Sequence, residues 1–274
     1  MMQRHVFHYN ISQLVPYINW VYFYHAWQLK DPAEQERIKS EAMERMEKLA
    51  PCYRVHAVVA VADACSDGDD ILICSSKWRL PMLRQQIVRG NEPCLCLSDF
   101  VRPMDAHIQP ADRIGLFATS VDIGMETDFC CDSYDCMMTQ LIADRLAEAA
   151  AEKMHLTVRT DTNIWGYAPD EHLTIPQLHC EEFQGIRPAI GYPSMPDASI
   201  NFLIDEIIQF KEIGIRLTPS GAMKPHASVS GLIISHPKAR YFAVGKIGRD
   251  QLIDYSQRRR VPVEIMQRFL AANL

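Results

Sequence analysis

The sequence has no run approaching the roughly 18 consecutive apolar residues that a membrane-spanning helix requires, so no membrane role is expected. It has no G-x-G-x-x-G, no G-K-[ST], no H-E-x-x-H and no G-x-S-x-G. Dinucleotide, phosphate-loop, zinc-protease and serine-hydrolase chemistry therefore lack the motifs that usually carry them. Positive charge is in deficit: 28 Lys and Arg face 34 Asp and Glu, a net charge of −6. Such a balance argues against a partner gripped through phosphates, and no nucleic acid is expected. Arg258, Arg259 and Arg260 cluster without interleaved aromatics, which suits a solvated helix end. The opening MMQRHVFHYNISQ puts polar residues where a signal peptide needs an apolar run, so a cytoplasmic location is expected.

Paired cysteine knuckles are also missing. The chain has nine cysteines, an odd number in 274 residues, and reduced thiols are the simpler reading. Cys94 and Cys96 in "PCLCLSDF" would put both sulfurs on one face of a strand, and Cys130, Cys131 and Cys136 lack C-x-x-C spacing. All five are expected to be core thiols and not metal ligands.

What is present reads as one α+β domain over 1–274, a twisted antiparallel β-sheet with flanking helices. "DPAEQERIKSEAMERMEKLAP" is a helix with Asp31 as cap, Pro32 at its first position and Pro51 beyond its end. Ile38, Ala42, Met46 and Leu49 give it an apolar face. "YRVHAVVAVADA" and "ILICSS" form a hairpin about "SDGDD"; "CLCLSDF", "RIGLFATSV", "IRLT", "ASVSGLIIS" and "RYFAVG" are further strands. A long helix covers "YDCMMTQLIADRLAEAAAEKMH", and another runs from an Asp197 cap to a Gly214 stop. Two short helices, "RDQLIDYSQRR" and "PVEIMQRFL", follow.

The chemistry gathers in stiff loops. "GIRPAIGYPSMPD" (185–197) sets three prolines and two glycines around Arg187 and Tyr192. Proline fixes φ and glycine opens conformations closed to other residues, so the loop has few ways to move. A guanidinium fork beside an aromatic ring suits a small carboxylate-bearing ligand. A rigid surface connection would carry the same pattern.

Read in order, the loops resemble the C-terminal activation domain of cobalamin-dependent methionine synthase, the domain that binds S-adenosylmethionine. The resemblance runs through "YINWVYFYHAWQL" (17–29), "GDDILI" (68–73), "LRQQ" (83–86) and "LSDFVRP" (97–103). It continues in "ADRLAEAAAEKMHLTVR" (143–159), "WGYAP" (165–169), "GIRPAIGYP", "LTPSGAMKPHASVSG" (217–231) and "HPKARYFAVGKIGRDQLIDY" (236–255). It implies that family's fold and an S-adenosylmethionine groove along 185–193, 225–231 and 240–245. It implies that Arg187, in the R-x-x-x-G-Y element with Gly191 and Tyr192, pairs with the ligand's carboxylate. Ala189 and Tyr241 fall where the family meets the ligand largely through backbone, and Glu148 where a family glutamate faces the corrinoid.

Three departures remove charged or polar groups. Asn19 stands where the family has aspartate, Pro219 where it has glutamate, and "PDASIN" where it has P-x-H-T-E-K. The cobalamin-ligating D-x-H-x-x-G is not in the sequence. The resemblance therefore implies a stand-alone reactivation module, with no complete active site of its own. It would bind S-adenosylmethionine and support reductive methylation of cob(II)alamin on a separate methionine synthase chain, with flavodoxin or another donor supplying the electron. The alternative, favoured by the missing aspartate, is a small-metabolite sensor paralogue or an activator of a different corrinoid methyltransferase.

Overall fold

The computed structural model describes residues 2–74, 77–87, 90, 92–104, 112–128 and 130–274. In chain order its strands are β1 (Met2–Tyr9), β2 (Val55–Asp67), β3 (Asp70–Ile73), β4 (Trp78–Pro81), β5 (Asp112–Val121), β6 (Arg216–Leu217), β7 (Met223–Lys224) and β8 (Ser228–Ile234). Its α-helices are α1 (Ile11–Leu14), α2 (Trp20–Ala26), α3 (Pro32–Leu49), α4 (Ser133–Thr160), α5 (Ile175–His179), α6 (Ile200–Ile208), α7 (Arg249–Arg259) and α8 (Val263–Phe269).

The long strand β2 organises the sheet. One edge pairs with β1 along Val55–Ala62 and then with β3 along Ala64–Asp67, while β5 takes the other edge. β4 extends beyond β3, β8 extends beyond β5, and every ladder is antiparallel. Alternate β2 side chains enter two different cores. Val55, Ala57, Val59 and Val61 pack beneath α3 and α4; Val58, Ala60, Ala62 and Ala64 meet Ile204, Ile207 and Phe210 on the opposite face. A sheet covered on both faces needs apolar residues at nearly every strand position, and "VHAVVAVADA" supplies them.

The helix α3 forms as its punctuation predicts, with Asp31 accepting from the Ala33 amide at 3.2 Å and Pro32 in the first turn. Ile38, Ala42, Met46 and Leu49 are all buried, and each large side chain contributes about 1.5–3 kcal/mol of transfer free energy. α4 is capped by Asp132, whose carboxylate accepts from the Asp135 amide at 2.9 Å. It is longer than the sequence suggests, running to Thr160. Thr119 of β5 donates to the Ala147 carbonyl at 2.9 Å and fixes the helix over the sheet.

Several expectations are corrected. The opening residues, read only as lacking a signal peptide, form β1. "CLCLSDF" is not a strand: Cys96 makes a single bridge to Arg84, and Leu97–Phe100 turns as a 3-10 helix. Of the five cysteines expected in the core, only Cys96 is buried; Cys131 is exposed and Cys94, Cys130 and Cys136 are half-buried. "RYFAVG" has no strand structure, having no ladder to join. The helix after Asp197 breaks at Gln209, which takes φ +57, and Asp205 caps the following turn by accepting from the Phe210 amide at 2.7 Å. The end of the expected strand "ILICSS" at Ser75 and Ser76 lies outside the described residues.

Nor are Arg258 and Arg259 merely solvated, although Arg260 is exposed. Arg258 bonds the carboxylate of Asp70, a residue only 1% exposed, and also reaches Asp254 at 2.8 Å. Arg259 reaches the Ser199 hydroxyl at 2.8 Å. The helix α7 is thus tied to β3 of the sheet by the Arg258–Asp70 ion pair. Among the described residues no helix is long and apolar enough to cross a membrane.

Candidate functional site

The loop 185–197 owes its position to two glycines. Gly185 has φ +83, and a Cβ there would stand 2.3 Å from the Ile234 carbonyl oxygen. A Cβ on Gly231 would stand 2.2 Å from the Pro188 carbonyl oxygen. Without those side chains the loop lies against β8 as an added edge. Ile186 and Ile234 exchange two 2.9 Å hydrogen bonds, Leu232 donates to Pro188 at 3.0 Å, and Ile190 donates to Ser230 at 2.9 Å. Regular backbone pairing on one side leaves the Arg187 amide facing the other, where it donates to the Tyr241 hydroxyl at 2.9 Å.

The Arg187 side chain passes over the Phe117 ring, 5.6 Å from its centroid, and its Nη2 donates to Glu152 of α4. It is only 9% exposed. Burial opposes its charge, but Glu152, Tyr241, Glu148 and Glu181 outweigh burial and raise its pKa. From α4, Arg145, Glu148, Ala149 and Glu152 project along one face at the i, i+3, i+4, i+7 spacing of neighbouring turns. Glu148 accepts from the Tyr192 hydroxyl at 3.2 Å and stands 4.0 Å from Arg145. The Glu148 charge, then burial, pushes the Tyr192 phenol up to about 12, so it stays a donor at neutral pH.

Between this helix face and the loop lies a cleft of about 770 Å³. Of the sequence-predicted residues, Asn19, Glu148, Arg187, Ala189, Tyr192 and Tyr241 line it. Gly191 does not; with φ +88 it turns the chain so that its amide meets Met195 at 2.8 Å and Tyr192 faces the cleft. Of 225–231 only Val229 lines the cleft, and of 240–245 only Tyr241 and Phe242. Asn19 accepts from the Val21 amide at 3.2 Å, so its carbonyl oxygen also caps α2.

Sequence reasoning missed Glu152, Glu181, Arg145, Tyr17, Tyr22 and His25, which also line the cleft. The signal for Glu152 was its place one helical turn after Glu148. Nothing local marked Glu181, which is brought in by the turn after α5 and whose carboxyl is pushed up by burial and by Glu152.

Residues 10–260 match the family model described as vitamin B12 dependent methionine synthase, activation domain. The chain belongs to this family. Among solved structures, the MetH reactivation domain bound to AdoHcy aligns with a TM-score of 0.92 and 36% sequence identity, covering 99% of this chain and 90% of that one. The twisted antiparallel sheet and flanking helices of this activation domain are therefore the expected architecture. The volume of its cleft falls within the 300–1,000 Å³ typical of small-molecule sites. One buried guanidinium, three carboxylates and several aromatic rings line it, and together they suit a zwitterion that carries a further positive charge and a flat base.

Proposed function

We propose that this activation domain binds S-adenosylmethionine in the cleft at Arg187 and presents its methyl group to a cobalamin carried by a separate methionine synthase polypeptide. The reading rests on Arg187, whose backbone is fixed by β8 and Tyr241 and whose guanidinium is held by Glu152, in the lining of a cleft rich in carboxylates. The AdoHcy-bound relative supports it, because AdoHcy is the thioether that S-adenosylmethionine becomes when its methyl leaves. Arg187 would hold the ligand's carboxylate, the α4 carboxylates would face its cationic groups, and the aromatic rings would cover its base. When bound, the sulfonium supplies an electrophilic methyl group, which a reduced corrinoid accepts. The protein contributes position and exclusion of water.

The test is calorimetric titration with S-adenosylmethionine, followed by mixing with a cobalamin-loaded methionine synthase fragment, a reductant and methyl-labelled ligand. Label on cobalamin supports the reading. One observation favours a metabolite sensor instead: Asn19 is neutral and already engaged as a helix cap. Tight binding without label transfer would decide for the sensor.

A further inference from the structure

The charged groups lining the cleft are unequal in number. Glu148, Glu152 and Glu181 face Arg145 and Arg187, so with its histidines neutral the cleft carries one negative charge in excess. The three carboxylates are not equivalent. Glu148 has both a phenol and a guanidinium beside it. Glu181 is exposed and sits just beyond the end of α5. Glu152 has one oxygen on Arg187, while its other oxygen is buried and has no hydrogen-bond partner. Its charge is therefore only partly compensated, in a place where water screens it poorly. That charge is felt by Glu181, whose pKa it helps to raise.

S-Adenosylmethionine and its demethylated product share a carboxylate, an ammonium and a base. They differ by the methyl group and the sulfonium charge, so the first has one net positive charge and the second none. Shape cannot separate them strongly, because one methyl changes little in a partly open cleft. Charge can.

We propose that Glu152 is the specificity-determining residue of the cleft, its carboxylate only partly compensated by Arg187 and so favouring the sulfonium ligand over the neutral thioether. The inference rests on the S-adenosylmethionine reading above. Glu152's effects on the shared carboxylate and ammonium cancel between the two ligands, and its attraction for the sulfonium does not. The domain therefore releases its product once the methyl has gone. Asn19, which also lines the cleft, adds no charge.

The test compares the ratio of the two dissociation constants in wild type, Glu152→Gln and Glu152→Asp. Glutamine keeps an oxygen to accept from Arg187, so it removes charge while leaving the anchor held. The preference for S-adenosylmethionine should fall by about tenfold in Glu152→Gln, the size of one partly screened charge interaction. Glu152→Asp should keep most of it. An unchanged ratio in Glu152→Gln, or equal weakening of both ligands, overturns the inference and leaves the proposed function standing. If the wild type binds neither ligand, the proposed function itself fails. If Glu152→Gln does not fold, Glu152→Ala decides, because it too removes the charge: a preserved preference overturns the inference, and a lost one supports it.

Discussion

The Arg187 amide donates to the Tyr241 phenol at 2.9 Å, joining two loops 54 residues apart. Burial pushes that phenol up to about 12, so it remains protonated while its oxygen accepts the bond. Two walls of the cleft are thereby set relative to each other. One is fixed by pairing with β8, and the other follows through this bond and through the Val244 amide, which donates to the Pro193 carbonyl at 2.8 Å.

Arg187→Ala should weaken S-adenosylmethionine binding by about 1.5–3 kcal/mol, the scale of a hydrogen bond to a charged group. Calorimetry reads this directly. Unchanged affinity would remove the carboxylate assignment.

Asn19→Asp should tighten binding by about 0.5–2 kcal/mol by offering a charge to the ligand's cationic groups. Aspartate caps a helix about as well as asparagine, so thermal stability should hardly move and the effect should be confined to the ligand. Weaker binding in this variant would favour a cleft rebuilt for another metabolite.

Gly231→Ala should push residues 186–190 away from β8, because the new methyl group would sit 2.2 Å from the Pro188 carbonyl oxygen. Overpacking of this kind costs about 1–3 kcal/mol in stability. Ligand affinity should fall with it, although residue 231 is not among those lining the cleft. Thermal unfolding and calorimetry together check the pair of effects. A variant with normal stability and affinity would show that the loop does not depend on β8.

His155 is fully buried on α4, hydrogen-bonded to the Tyr167 hydroxyl at 2.9 Å. Burial, then Arg159 and Arg187, hold its pKa well below the usual 6.5, so the folded protein keeps it neutral. The unfolded chain takes up that proton as pH falls through about 6.5, so stability should fall from there downward until the folded pKa is reached. The slope from this group is at most about 1.4 kcal/mol per pH unit. Urea unfolding between about pH 7.5 and 5 should show it, and His155→Gln should flatten it. An equal slope in the variant would assign the effect elsewhere.

Purified protein should carry no stoichiometric zinc or iron. Among the described residues, no group of three or more His, Cys, Asp or Glu is arranged to hold a metal ion. Elemental analysis finding about one metal per chain would reverse this.

By itself the sequence determined what local rules govern. The span of α3 follows from Asp31, Pro32 and a four-residue apolar repeat, and β2 from an apolar run longer than one turn could use. The stiffness of 185–197 follows from its prolines and glycines, and the ordered loop motifs were enough to carry the family. Tertiary structure decided what depends on partners distant in sequence. β1 looks like any polar segment until β2 supplies its ladder, and "RYFAVG" looks like a strand but finds none. Arg258 reads as a solvated helix end until Asp70, 188 residues away, takes its charge. Glu152 stands one turn beyond Glu148 on the same helix, but nothing singles it out until the loop on β8 brings Arg187 to it. Capping and periodicity act within a few residues, so a sequence window contains them. Strand pairing and buried ion pairs join groups that only the folded chain brings together.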